Sequence, residues 1–354
     1  MTPVRSLGAQ GWQAITLLGL LALPIGGFAQ TPQERAQVET FLRDWKKTNL
    51  IVDSEFDKLK PLGKHALPLL ADYLSDKDLG FLAESAMQRL DPNGAMPYLL
   101  KNLPNKDPNV QRDTFRLANR RMMEYDWYVR SGKPPVDPNK PAPRYPSNIE
   151  PYPYRQAIHD AAVQLLQAKM PNGSETQALT TLGLTGSARD LPLLRRYAAK
   201  EGGAVWEGSF HIVSIAAMAR LGDKQALDAI AAELEKPVLP HPAQPYVLEG
   251  PVANKPVEPK PGAVVASTED GQRFRSAAFQ AGFSMNRRFV PLLIRHMDDP
   301  PGQFHGDYAD PSPAREAMAA LAQIVYGKEY GEQVQRSPEA WKQWGREHAK
   351  EFGK

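Results

Sequence analysis

The chain has no cysteine among its 354 residues. No disulfide can therefore stabilise the fold, and neither a cysteine-based metal site nor a lipid-modified cysteine anchor is possible. Long apolar runs are also scarce. The clearest one, "AITLLGLLALPI" at residues 14–25, is shorter than the roughly 20 residues that cross a bilayer. Packing alone therefore has to stabilise the mature chain.

Strong charge and familiar catalytic motifs are missing as well. The formal net charge is +3, from 43 basic and 40 acidic residues, which gives no basis for nucleic-acid binding. We find no serine nucleophile elbow, no HExxH zinc motif, no phosphate-binding glycine-rich loop and no EF-hand loop. These absences do not exclude an enzyme, but they leave no direct signature of one. We expect no metal and no other cofactor.

The first 29 residues have the anatomy of a secretory signal peptide. Arg5 supplies a positive start, residues 14–25 form the apolar core, and "GGFAQ" offers a small-residue cleavage site after Ala29. We therefore expect export, a periplasmic or secreted mature protein, and no membrane span in the mature chain.

A short phrase centred on proline recurs along the chain. It reads "ALPLLADYL" (66–74), "AMPYLLKNL" (95–103), "DLPLLRRYA" (190–198) and "FVPLLIRHM" (289–297), and "ALDAIAAEL" (226–234) carries Asp228 in the proline's place. Because proline is tolerated in the first turn of a helix and costly in its interior, each proline predicts a helix start. The residues one before, two after and six after the proline are apolar in all five phrases, which predicts one buried helix face.

Small-residue-rich segments precede these phrases and are also typical of helices. They span residues 81–91, 175–186, 210–223 and 274–283, and each ends near a Gly or an Asp. A unit of helix, short turn and helix cannot bury its apolar face alone, so neighbouring units have to stack.

Three segments carry a resemblance to a known family: "LGKHALPLLADYLSD" (62–76), "LGLTGSARDLPLL" (182–194) and "ARLGDKQALDAIAAEL" (219–234). They resemble the short bacterial HEAT repeats, which also occur in phycobilisome-type lyases. The resemblance covers most of residues 54–326. It implies an all-α fold, an α-α superhelix or HEAT-like solenoid, and it says little about activity.

Proline-rich stretches and a terminal helix complete the predicted organisation. We expect a HEAT-like solenoid over 30–336, interrupted by insertions at 126–155, 237–270 and 298–313, because proline runs favour extended backbone. Residues 337–354 predict a C-terminal capping helix, with Ser337 as its N-cap and Pro338 at its first position.

The repeat alignment also predicts a binding surface. Lys101, Arg196 and Arg295 stand four places after the proline, and Tyr197 and His296 stand five places after it. HEAT-like second helices usually line a concave side, so these residues would form a row there and bind an acidic or extended segment of a protein partner. The alternative is an ordinary solvated helix face.

Three further groups of residues leave other functions open. His305, Asp307 and Asp310 in "HGDYAD" could hold a divalent metal, although Asp310 could equally cap the next helix. The aromatic residues of the first insertion could bind a sugar or a peptide, or pack back onto the scaffold. They are Tyr125, Trp127, Tyr128, Tyr145, Tyr152 and Tyr154. Arg112, Arg116 and Arg120, four residues apart, form either an anion site or a solvated face.

The sequence thus favours an exported, non-enzymatic HEAT-repeat protein that acts as a protein-binding or scaffolding module. The alternatives are a metal-assisted hydrolase or lyase-like enzyme on a HEAT scaffold, and a carbohydrate-binding surface formed by the aromatic insertion.

Overall fold

A computed structural model describes residues 31–48, 56–103, 108–131, 152–168, 173–200, 209–247, 256–303, 310–326 and 337–352. The predicted signal peptide, Tyr145, His305 and Asp307 lie outside these ranges. The described residues are mostly helical, as expected for an all-α fold. The helices are α1 (Pro32–Thr48), α2 (Ala66–Ala71), α3 (Gly80–Leu90), α4 (Pro92–Asn102), α5 (Pro108–Ser131), α6 (Arg155–Gln167), α7 (Glu175–Thr185), α8 (Leu191–Ala198), α9 (Phe210–Arg220), α10 (Lys224–Glu235), α11 (Thr268–Ser284), α12 (Val290–Arg295), α13 (Pro313–Tyr326), α14 (Pro338–Glu347) and α15 (Ala349–Phe352).

Side-chain caps explain where several of these helices begin. The residue before α4, α9, α10, α11 and α14 accepts a hydrogen bond from a backbone N–H of the first turn. These caps are Asp91, Ser209, Asp223, Ser267 and Ser337. First-turn amides have no partner within the helix, so each cap stabilises its helix by about 1 kcal/mol. The predicted helix start at Ser337 is confirmed, with Pro338 at the first position.

The recurring proline lies in the first turn of three helices, as predicted. Pro192 and Pro291 are the second residues of α8 and α12, and Pro68 is the third residue of α2. The prediction is wrong for Pro97, which lies inside α4. There Asp91 caps the amides of the first turn and Pro92 takes the first helical position, so the helix starts earlier than the alignment predicts.

The apolar face predicted from the repeat is confirmed. All of its members are buried except Leu191 and Ala198, which are partly exposed. Both of these lie on α8. The stripe thus faces the core on each of the five helices that carry it, and its burial supplies the main stabilising contribution of these helices.

The helices follow one another as pairs. We call α3, α5, α7, α9, α11 and α13 the first helices, and α4, α6, α8, α10, α12 and α14 the second helices. Successive first helices contact one another along the whole series, and α13 also contacts α5. The row α5–α7–α9–α11–α13 therefore closes on itself.

Small residues and paired polar groups permit this close packing. A Cβ atom on Gly183 of α7 would lie 2.6 Å from the ring of Phe283 and 3.0 Å from Ala217, so only glycine fits there without a shift. Between α5 and α7, Thr181 Oγ1 donates a 2.8 Å hydrogen bond to Asn119 Oδ1. Both side chains are buried, and the bond satisfies groups that would otherwise destabilise the interior.

A closed row of five helices has no room for further helices inside it. At the usual interaxial spacing, the five axes lie about 8 Å from their common centre, a space that side chains fill. The contact between α13 and α5 brings the two ends of this row together, a feature that no repeat pattern reveals. That the second helices line a concave face stays a prediction.

The segment 237–270, predicted as a proline-rich insertion, contains regular structure. Strand β1 (Pro240–Pro242) pairs antiparallel with β4 (Val264–Ala266), and β2 (Tyr246–Val247) pairs with β3 (Pro256–Val257). Gln303 fixes the segment, because its side chain accepts from the backbone N–H of Gln244 and donates to the carbonyl of Gln244, both at 3.0 Å. The segment ends early, since α11 begins at Thr268.

Helix α5 extends into the predicted insertion 126–155. It continues to Ser131, and the next proline in the chain is Pro134, so nothing stops the helix sooner. Residues 132–151, and residues 304–309 of the insertion 298–313, lie outside the described ranges. Within those ranges no helix, α5 included, combines the length and the apolar character needed to cross a membrane.

Candidate functional site

The five residues predicted to form a binding row fall into two groups. Lys101, Arg196 and Arg295 are exposed at the surface. Tyr197 and His296 are only 2% and 7% exposed. The prediction that these two rings face a partner is therefore wrong, since neither is accessible.

Tyr197 and His296 instead hold neighbouring second helices together. Tyr197 Oη donates a 2.9 Å hydrogen bond to the carbonyl of Leu166 in the last turn of α6. His296 Nε2 donates a 2.7 Å bond to the carbonyl of Leu234 in the last turn of α10. Carbonyls in a last turn have no donor within their own helix, so both bonds satisfy groups that need a partner. The equivalent position in two repeats thus has an equivalent structural role.

The three exposed cations do not gather into one row. Lys101, Arg196 and Arg295 lie on α4, α8 and α12, and α6 and α10 intervene in the outer layer. Arg196 Nη2 is already bonded to the carbonyl of Leu166 at 2.8 Å. The binding role of these three cations as a set therefore stays a prediction.

A buried carboxyl cluster lies where α3 meets α5. Glu84 on α3 is 1% exposed, and Asp113 on α5 is 5% exposed. Burial is the main cause that raises the pKa of Glu84 to about 8, with a further contribution from the neighbouring charge of Asp113. Arg112 Nε and Arg116 Nη1 lie 3.4 and 3.6 Å from Asp113 Oδ1.

This cluster bears on whether Arg112 and Arg116 belong to an anion site or to a solvated helix face. Arg112 is partly exposed and Arg116 is exposed, and both lie near the buried carboxylate of Asp113, which favours a solvated face with a local partner over an anion site. Glu84 itself accepts a hydrogen bond from Gln88 Nε2. The arrangement neutralises buried charge within the fold, so we treat it as a determinant of stability.

The described part of the predicted metal cluster has a structural role. Asp310 is buried, and its Oδ2 accepts a 2.6 Å hydrogen bond from Thr268 Oγ1 at the start of α11. Ser312 rather than Asp310 is the residue that directly precedes α13. Among the described residues no group of three or more acidic or histidine side chains could hold a metal ion.

Two aromatic residues of the first insertion are packed against the scaffold. Tyr152 is buried, and its ring meets that of Tyr154 edge to face at 5.6 Å between centroids. The Tyr152 hydroxyl is buried without a hydrogen-bond partner, and burial raises the pKa of this phenol above its ordinary value. Tyr152 is therefore no part of a sugar-binding surface.

An open groove lies between α12 and the two C-terminal helices. It encloses about 500 Å³ and is lined by Pro291, Ile294, Lys342, Gly345, Arg346, Ala349 and Phe352. The floor and walls are mainly apolar, and both charged residues that line it are cations. A surface of this kind suits a partner segment that presents apolar side chains together with negative charge.

Two ion pairs join α12 to the C-terminal helices. One involves a residue just before α12 and the other a residue just after it. Arg287, just before α12, lies 3.2 Å from Glu351 in α15. Asp298, just after α12, lies 2.7 Å from Lys342 in α14. The pairing order shows that α14–α15 run antiparallel to α12. Between the pairs, Gly345 lets α14 approach the end of the Ile294 side chain.

Aromatic packing holds the C-terminal helices in place beside this groove. Trp341 is fully buried, and Trp344 meets it edge to face at 5.4 Å between ring centroids. Trp344 also stacks on His348 at 4.6 Å and contacts Phe352 at 5.5 Å. The groove wall formed by Phe352 is thus fixed by the same helical spacing that the sequence displays.

Sequence reasoning found some of these residues and missed others. The repeat alignment selects Arg295, which directly follows the groove residue Ile294 in the sequence of α12. Arg346 was missed, although its spacing of four from Lys342 marks a cationic stripe on α14. Glu84 was missed too, although it follows Gly80 and Ala83 at the spacing of a buried helix face.

We compared the chain with known proteins in three ways. Neither a scan against protein-family models, nor a search of curated proteins, nor a search of solved structures finds a match.

Proposed function

We propose that the chain is an exported HEAT-like solenoid that binds a segment of another protein in the groove between α12 and α14–α15. The export rests on the signal-peptide pattern of residues 1–29. The function is recognition, and the proposal assigns no chemical step to the protein.

Three features support the HEAT-like part of the proposal. Helix pairs recur with the same buried stripe, and their first helices contact one another in series. Tyr197 and His296, five places after the proline, make the same kind of bond to the preceding second helix. Equivalent residues with equivalent contacts are what stacked repeats require. The series differs from an open superhelix in that its first helices form a closed row.

The groove is the observation that carries the binding function. It lies at the C-terminal end of the series, where α12 contacts the short helices α14 and α15. Its wall keeps Pro291 and Ala349 exposed, and Ile294 and Phe352 are only partly buried. Exposed apolar surface next to an exposed cation such as Arg346 is typical of an interaction site.

Site-specific photo-cross-linking in the cells that express the chain tests this proposal. A p-benzoylphenylalanine placed at Ala349 faces the groove, and the same group placed at the exposed Glu235 in α10 serves as the control. We expect one protein to be cross-linked from position 349 and not from position 235. The adduct should be lost when Arg346→Glu is added.

The cross-linked peptide, identified by mass spectrometry, gives the partner segment directly. Equal adducts from both positions, or no adduct from position 349, would contradict a specific binding groove, and an adduct that persists with Arg346→Glu would remove Arg346 from the binding contacts. Arg346 is exposed, so its substitution leaves the fold intact and the loss of the adduct reports on binding.

A further inference from the structure

The two cations that line the groove differ in their ion pairs, and this difference indicates which ligand the groove binds. Lys342 is paired with Asp298, whereas Arg346 makes no ion pair with a described residue. Both cations line the same groove, and Arg346 is exposed beside the partly buried Lys342. An unpaired guanidinium at the edge of an apolar surface is suited to a carboxylate, which it can bind through two parallel hydrogen bonds.

Asp298 shows where a second carboxylate fits. Its side chain is 74% exposed and reaches Lys342 Nζ at 2.7 Å, whereas the side chain of Lys342 is only 26% exposed. The carboxylate thus approaches the cation from the solvent side, the side from which a ligand would arrive. An exposed pair of this kind contributes little stability, so a ligand carboxylate can displace Asp298 at low cost.

The apolar part of the groove adds a second requirement, which is that the ligand carries an apolar side chain. Ile294 and Phe352 are partly buried, and Gly345 lets the end of the Ile294 side chain lie against the backbone of α14. One apolar side chain of a ligand placed there would gain about 1.5 to 3 kcal/mol on full burial, which charge contacts at the rim cannot supply alone. Apolar and acidic groups must therefore come from the same segment.

We infer that the groove takes an acidic peptide segment whose apolar side chain packs on Ile294 and Phe352, whose carboxylate binds Arg346, and which competes with Asp298 for Lys342. This inference rests on the proposed function and names the chemistry of the partner. Asp298 then acts as an internal competitor that lowers the affinity of the groove for acidic segments.

Three heptapeptide pools test the inference on the full exported chain. All three carry Leu or Phe at alternate positions, and the remaining positions are Asp in one pool, Ser in the second and Lys in the third. We expect the Asp pool to bind at least about tenfold more tightly than the other two, and more weakly as salt is added. Arg346→Glu should abolish that preference, whereas the control Arg189→Glu, an exposed arginine before α8, should not.

Asp298→Asn tests whether Asp298 competes with a ligand carboxylate for Lys342. The substitution keeps the size of the side chain and removes its charge, so it should tighten binding of the Asp pool about two- to fivefold, the range expected for release of one exposed ion pair. Binding of the Ser pool should not change. Weaker or unchanged binding of the Asp pool would overturn the role given to Asp298.

The cross-linking group at Ala349 separates failure of this inference from failure of the proposed function. If the Ser or Lys pool cross-links at position 349 as well as the Asp pool does, the groove binds peptides and the acidic preference is wrong. If no pool cross-links there, the groove itself is not a peptide site, and both proposals fall.

Discussion

Glu84→Gln should change how the stability of the protein depends on pH. Glu84 is buried on α3, and its pKa is raised from 4.5 to about 8, first by burial and then by Asp113. Because the folded state holds the proton more tightly than the unfolded state, the stabilising difference is fully present below about pH 4.5. It is lost as the pH rises through the folded pKa of about 8.

The size of the effect follows from the shift. Each pKa unit corresponds to about 1.4 kcal/mol, so a shift from 4.5 to about 8 corresponds to about 5 kcal/mol of lost stability between those pH values. Local opening that lets water reach the carboxylate would reduce this figure, which makes it an upper bound. A glutamine at position 84 can still accept the hydrogen bond from Gln88, and it does not ionise.

Urea unfolding of the wild type, Glu84→Gln and the control Glu235→Gln at pH 5, 7 and 9 measures the effect. At pH 5 the wild type and Glu84→Gln should have similar unfolding free energies. At pH 9 Glu84→Gln should be the more stable by several kcal/mol, whereas Glu235→Gln, at an exposed position, should follow the wild type throughout. If the wild type and Glu84→Gln lose stability in parallel from pH 5 to pH 9, the argument from burial is refuted.

Four further substitutions have directions that the contacts decide. Tyr197→Phe should lower the unfolding free energy by about 1 kcal/mol, because it removes the hydrogen bond to α6. Tyr152→Phe should leave the unfolding free energy unchanged or raise it, because the Tyr152 hydroxyl is buried without a partner among the described residues. Urea unfolding of both variants distinguishes the two signs. Gly183→Ala should lower the melting temperature, because the added methyl group overlaps α9 and α11 and costs about 1 to 3 kcal/mol. Gly345→Ala should weaken peptide binding, because the added methyl group overlaps the end of the Ile294 side chain and displaces it within the groove; an unchanged affinity would place the ligand elsewhere.

The local features of the fold could be predicted from the sequence because they depend on neighbouring residues. Pro192 and Pro291 mark helix starts, Ser337 marks another, and the apolar stripe is buried on each helix that carries it. Pro97 shows the limit of this reasoning, since the stronger start signal of Asp91 and Pro92 precedes it in the same helix. The closure of α13 onto α5 depends on contacts between residues far apart in the chain, and no repeat pattern contains that information.

The candidate site was harder to predict because exposure and direction decide it. Lys101, Arg196 and Arg295 are exposed, yet the repeat spacing alone does not tell whether they share one surface. Tyr197 and His296 occupy equivalent positions, and their burial follows from the carbonyls of the preceding helices, which the sequence does not display. The groove needs α12 and residues 338–352 side by side, a contact that only the structure reveals.

Hydrogen exchange of the full chain, with and without the partner recovered through the cross-link at Ala349, tests the binding groove most directly. The account predicts slower exchange on binding in α12, in α14 and in α15, with no change in α4 or α8. Protection that falls on α4 and α8, where Lys101 and Arg196 lie, with α14 and α15 unchanged, would contradict it and return the binding surface to the outer helices.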